Sequence, residues 1–174
     1  MTVVIPTLET ERLILRPWYD GDVDGFAALM ADAEISRYVG GPLSRDDAWR
    51  KMATYVGHWL LRGYGTFALE LRATRQFVGY CGPWFPLGWP EREIAWGIIP
   101  AEHGQGFATE AARRALTFAY EDLGWDTAVS VISTANTPSI RVAERLGAVR
   151  GEHLTVRSFP VDVWRHLPPV HRTG

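Results

Sequence analysis

Residues 103–111 read HGQGFATEA, two glycines one residue apart that lead into an alanine-rich run. Glycine at 104 and 106 permits positive φ and close approach to the backbone, and Ala108 keeps a first helical turn uncrowded. Thr109 adds a hydroxyl donor. Successive amides that curl into a helix N-terminus hold oxyanions, phosphate above all. Two common phosphate schemes are excluded. No Gly-Lys-Ser/Thr segment follows a four-residue spacer, so there is no P-loop. A dinucleotide fingerprint would need Gly or Ala at 109, which is Thr, and the spacer PAEH separates the preceding strand from the first glycine. Two readings stand: an oxyanion loop, or a tight turn into a helix.

The elements that must position this loop follow from pattern. RLILRPW (12–18) reads as a strand closed by Pro17, and VDGFAALMADAEI as a helix capped by Asp20 or Asp22. Ser44 and Asp47 resemble a capping pair for a second helix, with Trp49, Met52, Val56, Trp59 and Leu60 as its apolar stripe. YGTFALELRA and QFVGYCGPWF form an antiparallel hairpin, and PLGWPERE is a loop. EIAWGIIP (93–100) is a strand, 107–123 a helix ended by Gly124, TAVSVIS a strand, TPSIRVAERLG a helix, and AVRGEHLTV and VDVWRHL two last strands. The expected order is β-α-α-β-β-β-α-β-α-β-β. It predicts one α/β domain over 1–174 with a mostly antiparallel sheet and one parallel pair where the chain crosses from 100 to 127.

Composition limits the function classes. A chain of 174 residues, 47% apolar and 22% charged, suits one buried core. A net charge of −2 gives no bulk attraction to nucleic acid or membrane. Cys81 is the only cysteine, which excludes an internal disulfide and fits a reducing, cytoplasmic setting. The start lacks signal-peptide features and no run is apolar enough to span a bilayer. The five histidines and one cysteine show no metal-ligand spacing.

On three stretches the sequence resembles the GCN5-related N-acetyltransferases (GNAT), and in particular their RimJ/RimL-like branch, which acetylates ribosomal-protein N-termini. TLETERLILRPW resembles that branch's opening strand, EIAWGIIPAEHGQGFATEA its strand and pyrophosphate loop, and NTPSIRVAERLGA its second cofactor segment. The resemblance implies a three-layer α/β/α sandwich around one splayed sheet, with strands 93–99 and 127–133 diverging. It implies acetyl-CoA as cosubstrate, with no metal, nucleic acid or membrane partner, and leaves a homodimer open. The family's Gln/Arg-x-x-Gly-x-Gly/Ala pattern maps onto His103, Gly106 and Ala108, with histidine a departure from the commonest first residue. The implied cofactor contacts are His103, Gly104, Gln105, Gly106, Phe107, Ala108 and Thr109 for the pyrophosphate. Ile98, Ile99 and Asn136 are the implied contacts for the pantetheine arm. A neutral His103 would donate a hydrogen bond to phosphate or be an ordinary loop residue. Asn136 also fits a helix N-cap.

The implied reaction is attack of an amine on the acetyl thioester. A peptide α-amine has a pKa near 7.7–8.0 and lysine near 10.4, so a neutral lysine costs about 3 kcal/mol more at pH 7. Glu93 is the candidate general base. It opens the strand leading to the loop and shares a face with Ala95 and Gly97, whose small size would leave room beside the carboxylate. It also reads as a solvated carboxylate in ERE, with Glu91 as second choice. Backbone N–H groups near 97–98 would meet the developing oxyanion. The tyrosine that many relatives carry seven residues after the asparagine is Ala143 here, so Ser139 is the candidate donor to the sulfur, or simply a first-turn serine. The loop aromatics of GPWFPLGWPE, with Trp49, Tyr55 and Trp59, would rim the acceptor or fill the core. Expected acceptors are a protein N-terminal amine, with net charge favouring a basic one, or a small-molecule amine such as an antibiotic or polyamine. The rival of another class is a non-catalytic acyl-CoA sensor or subunit.

Overall fold

The computed structural model describes residues 3–169. Eight strands form one sheet: β1 (Leu8–Glu9), β2 (Leu13–Arg16), β3 (Phe67–Leu71), β4 (Phe77–Trp84), β5 (Glu93–Ile98), β6 (Ala128–Ser133), β7 (Val149–Val156) and β8 (Phe159–His166). Their order is β1-β2-β3-β4-β5-β6-β8-β7. Every neighbouring pair is antiparallel except β5–β6, which is parallel and joined by the chain that crosses through α4 (Phe107–Thr117). The sheet is therefore mixed and mostly antiparallel, as expected, with a short β1 added ahead of the predicted first strand.

Strand alternation sends Leu13, Leu15, Phe67, Leu69 and Val78 into one core with Ala111, Ala112 and Ala115 of α4. Ala68 and Tyr80 point to the other face, beneath α1 (Val23–Ala31) and α3 (Arg45–Arg62). Helices on both faces make three layers. The first expected helix is broken. Asp32 is extended (φ −70°, ψ 114°) and its carboxylate accepts from the N–H groups of Glu34 and Ile35, which starts a separate short α2 (Ala33–Ser36).

Ser44 caps α3 through the N–H of Asp47 at 3.1 Å, as expected. The expected apolar stripe is shifted, because the buried face of α3 is Ala48, Met52, Tyr55 and Trp59. Trp49 and Leu60 lie off that face and are about half exposed. After Thr117 the chain widens into a π-turn over Phe118–Asp122 before Gly124, at φ +65°. The last helix, α5 (Thr137–Arg145), lies under β6.

Candidate active site

The join between β5 and β6 is one rung long: Glu93 pairs with Val129, and the Val129 N–H bonds the Arg92 carbonyl at 3.0 Å. A continued parallel ladder would send the Val131 N–H to the Ile94 carbonyl. Two side chains take those places. The Glu93 carboxylate accepts from Val131 N–H at 2.9 Å, and the Ser130 hydroxyl donates to the Ile94 carbonyl at 2.7 Å. Beyond them the strands part. Alternation along β5 then decides which amides remain available. Ile99 N–H bonds the Val78 carbonyl at 2.9 Å, so the odd-numbered groups face β4 and the N–H groups of Trp96 and Ile98 face the gap. The Ile99 amide, expected on the cofactor, is thus spent within the sheet. The oxyanion donor expected near 97–98 narrows to Ile98.

Glu93 is buried at the base of a cleft of about 230 Å³. Burial drives its pKa up. Donation from Trp89 Nε1–H at 3.1 Å and from Val131 N–H works the other way, and the balance is about 7. No cation is paired with it among the described residues. The small residues on its face do not leave the room expected of them. A Cβ on Gly97 would lie 2.5 Å from the Tyr80 ring, so that ring fills the space. Tyr80 and Tyr55 line the cleft beside Glu93, and burial pushes the Tyr80 phenol up to about 12, so it stays protonated. Glu91 is removed as the alternative base. It is held by Arg165 through two bonds, at 2.8 and 3.0 Å.

Ser130 is itself positioned by His166. A carbonyl only accepts, so the one hydroxyl hydrogen goes to Ile94. His166 Nε2–H must then donate to Ser130 Oγ, at 2.8 Å. Burial lowers the His166 pKa to about 4, so the ring is neutral, and its Nδ1 is left buried without a partner.

At the far end of β5, Gly106 adopts φ +82° as the N-cap of α4, and Gly104 adopts φ +77°. Arg12 fixes this loop from outside. Its guanidinium bonds Glu110 at 2.7 Å and the Gln105 carbonyl at 2.9 Å, and lies 4.5 Å from the Phe107 ring centroid. With that carbonyl turned toward Arg12, the first amides of α4 are left to solvent. The side chains of Gln105 and Phe107 are occupied elsewhere, on Glu102 at 2.7 Å and in the core. His103 cannot play the part expected of a neutral ring, because its one N–H, on Nε2, is donated to the Ile98 carbonyl at 2.7 Å. Asn136 caps α5 by accepting from Ser139 N–H at 3.3 Å, and both residues line the cleft.

Trp84 and Trp89, with Pro86 beside them, form an aromatic wall of the cleft, as the loop composition suggests. Of the helix aromatics only Tyr55 reaches it. Trp59 is in the core with its indole N–H on the Thr66 carbonyl, and Trp49 bonds Asp20. Sequence reasoning missed Lys51, the Val39–Gly40 stretch and the turn at Arg157, all of which line the cleft from distant parts of the chain.

A single parallel rung, a carboxylate at its end and a helix-capping glycine loop form one arrangement, and comparison with known proteins gives it a family. The model of the acetyltransferase (GNAT) domain matches residues 12–149. This chain belongs to the GNAT acetyltransferases. A crystal structure of an acetyltransferase from Agrobacterium tumefaciens is 34% identical, with a TM-score of 0.85 over 96% of this chain and 97% of that one. The uncharacterized N-acetyltransferase YoaA of Bacillus subtilis is 29% identical over 148 residues, 83% of each chain. RimL, a ribosomal alpha-N-protein acetyltransferase in complex with coenzyme A, shares the fold at 15% identity and a TM-score of 0.73, over 92% of this chain and 96% of that one.

As a GNAT member the protein is an acyltransferase whose acetyl donor is acetyl-CoA. The residues present fit that donor. The Thr109 hydroxyl, in the first turn of α4, is buried and unpartnered among the described residues, and space beside Gly104 and Gly106 is open apart from the Arg12 guanidinium, 3.6 Å from a Cβ at Gly106. Among the described residues no three His, Cys, Asp or Glu side chains are grouped to hold a metal ion, and no helix is long and apolar enough to cross a membrane.

Proposed function

We propose that the protein transfers the acetyl group of acetyl-CoA directly to an α-amine bound in the cleft, with Glu93 as general base. The observation that carries this reading is the buried carboxylate of Glu93, raised to about 7 and placed where the sheet opens. At neutral pH about half of it is ready to take a proton. The amine nitrogen attacks the thioester carbonyl carbon and a C–N bond forms. The amine proton passes to Glu93, directly or through one water, and the C–S bond breaks with its electron pair leaving on sulfur. A base of pKa near 7 suits an α-amine better than a lysine, whose deprotonation costs about 3 kcal/mol more.

Loop amides 104–109 and the Thr109 hydroxyl would hold the pyrophosphate, and the gap-facing N–H of Ile98 would take the donor's carbonyl. Asn136 would contact the pantetheine arm while capping α5. Ser139, on the same cleft wall, would donate to the departing sulfur, although a thiol of pKa near 8.5 leaves without much help. The α-amine belongs to a protein or peptide N-terminus in the RimL-like reading, which rests on the opening strand, the loop and the NTPSIRVAERLGA segment, or to a small molecule in the alternative reading.

Thiol release is to be followed with two matched peptides, one with a free N-terminus and one N-blocked but containing lysine. Faster turnover of the free N-terminus supports the α-amine reading, and faster turnover of the blocked peptide overturns it. Tight acetyl-CoA binding without thiol release across an amine panel would establish the sensor instead.

A further inference from the structure

Lys51 is the only lysine in the sequence, and its side chain reaches into the cleft wall, where Nζ donates to the Val39 carbonyl at 3.3 Å. Arg157, on the β7–β8 turn, faces the same space, with its guanidinium 5.7 Å from the Trp89 ring centroid. Trp89 in turn bonds Glu93, so Arg157 stands one indole away from the base. Neither cation is bridged to a carboxylate among the described residues. Most other arginines near acidic groups are, as in Arg12–Glu110, Arg150–Asp162 and Arg165–Glu91. Lys51 and Arg157 also sit close enough to repel. Burial first, and then the charge of Arg157, lower the Lys51 pKa. Two unmatched like charges beside a partly dry cleft are unfavourable until an anion joins them.

The donor's phosphates are not that anion. They belong at residues 104–109, past the C-terminal end of β5, whereas Trp89 and Glu93 mark its start. Six strand residues separate the two ends by roughly 16–20 Å. Trp84, Trp89, Tyr38 and Phe159 give the walls aromatic faces, and the uncharged polar lining, Ser130, Ser133, Asn136 and Ser139, lies on the β6 and α5 side. Glu93 is the only acidic side chain among the lining residues, so a polycation would find one carboxylate and two opposing charges.

Resting on the reading of this cleft as the acceptor site, we propose that the acceptor is a compact amine carboxylate with an aromatic or apolar body, its carboxylate held between Lys51 and Arg157. The local charge thus runs opposite to the basic acceptor suggested by net charge. Arg157 sits at φ +48° and the next residue, Ser158, at φ +71°, so the hairpin turn fixes the backbone from which the guanidinium reaches the Trp89 ring.

The test is kcat/KM for aromatic amino acids against their carboxamides, with a linear diamine as third substrate. The carboxamide carries the less basic amine, so deprotonation favours it and only the missing charge works against it. The wild-type protein is expected to prefer the acid by about tenfold or more, the worth of one charge-assisted contact, and to turn over the diamine most slowly. Arg157→Asn, which tolerates positive φ, and Lys51→Met should each bring acid and carboxamide together. Arg157→Glu should reverse the order and admit the diamine, a gain that misfolding does not produce. Equal or faster use of the carboxamide or diamine by the wild-type protein overturns the proposal, as does turnover of peptides with none of the amine carboxylates. No thiol release with any amine would overturn the transferase reading beneath it.

Discussion

Glu70 and Glu93 are buried alike, at 5% and 6% exposure, yet their surroundings are opposite. Glu70 lies against Arg16 at 2.6 Å and Arg75 at 2.6 Å, and Arg16 also clamps Asp22 through two bonds at 2.8 and 2.9 Å. Burial alone would lower the Arg16 pKa, but its bonds to Asp22 and Glu70 outweigh that and the guanidinium is held charged. The cluster ties the start of α1 to β2 and β3. Glu93 has two N–H donors and, among the described residues, no paired cation. A buried carboxylate bridged to guanidinium groups serves the fold, whereas Glu93, left unmatched in equally dry surroundings, sits near neutrality and can exchange a proton.

The contrast is broken most severely from the Glu70 side. Arg16→Met strands the buried carboxylate of Asp22 and leaves Glu70 with Arg75 alone, and should cost about 3–5 kcal/mol, read by urea or thermal denaturation, with the largest loss at neutral pH. Recovery of stability at low pH, where a stranded carboxylate protonates, identifies the charge as the cause.

On the Glu93 side, Glu93→Gln keeps the shape and the acceptor for Val131 N–H but removes the base. Turnover should fall about a hundredfold or more, with acetyl-CoA affinity unchanged by calorimetry. The wild-type rate should rise with pH through about 7 and level off, and the variant should lose that limb. Wild-type turnover in the variant at pH 7 would remove Glu93 from the chemistry.

The same substitution should move stability the other way. The folded pKa of about 7 lies above the ordinary carboxylate value near 4.3, so the protonated side chain's contribution is fully present below about pH 4. It is lost as pH rises to 7 and changes little beyond. Glu93→Gln should therefore stabilise the protein by about 2 kcal/mol at pH 8, with burial of the new amide offsetting part of the gain, and by nothing measurable at pH 4. Thermal unfolding at the two pH values checks the sign.

The smallest effect concerns a site remote from both carboxylates. Gly106→Val forces a β-branched residue to φ +82° and crowds the loop, so acetyl-CoA affinity should weaken about tenfold while the fold persists. Unchanged affinity in the folded variant would detach the loop from the donor.

Features set by local pattern were legible in the sequence. The glycine loop, the caps of α3 and α5 and the face of Glu93 follow from spacing within a few residues, and the crossover from the order of the elements. What escaped was set by distant partners. The space at Gly97 is filled from β4 by Tyr80, while the His103 N–H is taken by the Ile98 carbonyl five residues back, a local contact that depends on the fold of the intervening turn. The Ile99 amide is taken by Val78, a matter of strand parity that composition does not carry. Ser130 and His166, 36 residues apart, meet only because β6 and β8 are neighbours. The stripe on α3 was misplaced because Trp49 and Leu60 are apolar by type and exposed by position.

The single rung between β5 and β6 also divides the sheet mechanically. β1–β5 and β6–β8 are each well laddered, and between them lie one strand pair, a serine hydroxyl and a carboxylate. On the proposed reading, a donor lying in the gap would supply the missing stretch of ladder and act as a removable suture between two half-sheets. Amides along the parted edges of β5 and β6 should exchange with solvent in the free protein and fall silent when the donor binds. A sequence that zipped this seam shut would gain rigidity and lose the place where chemistry happens.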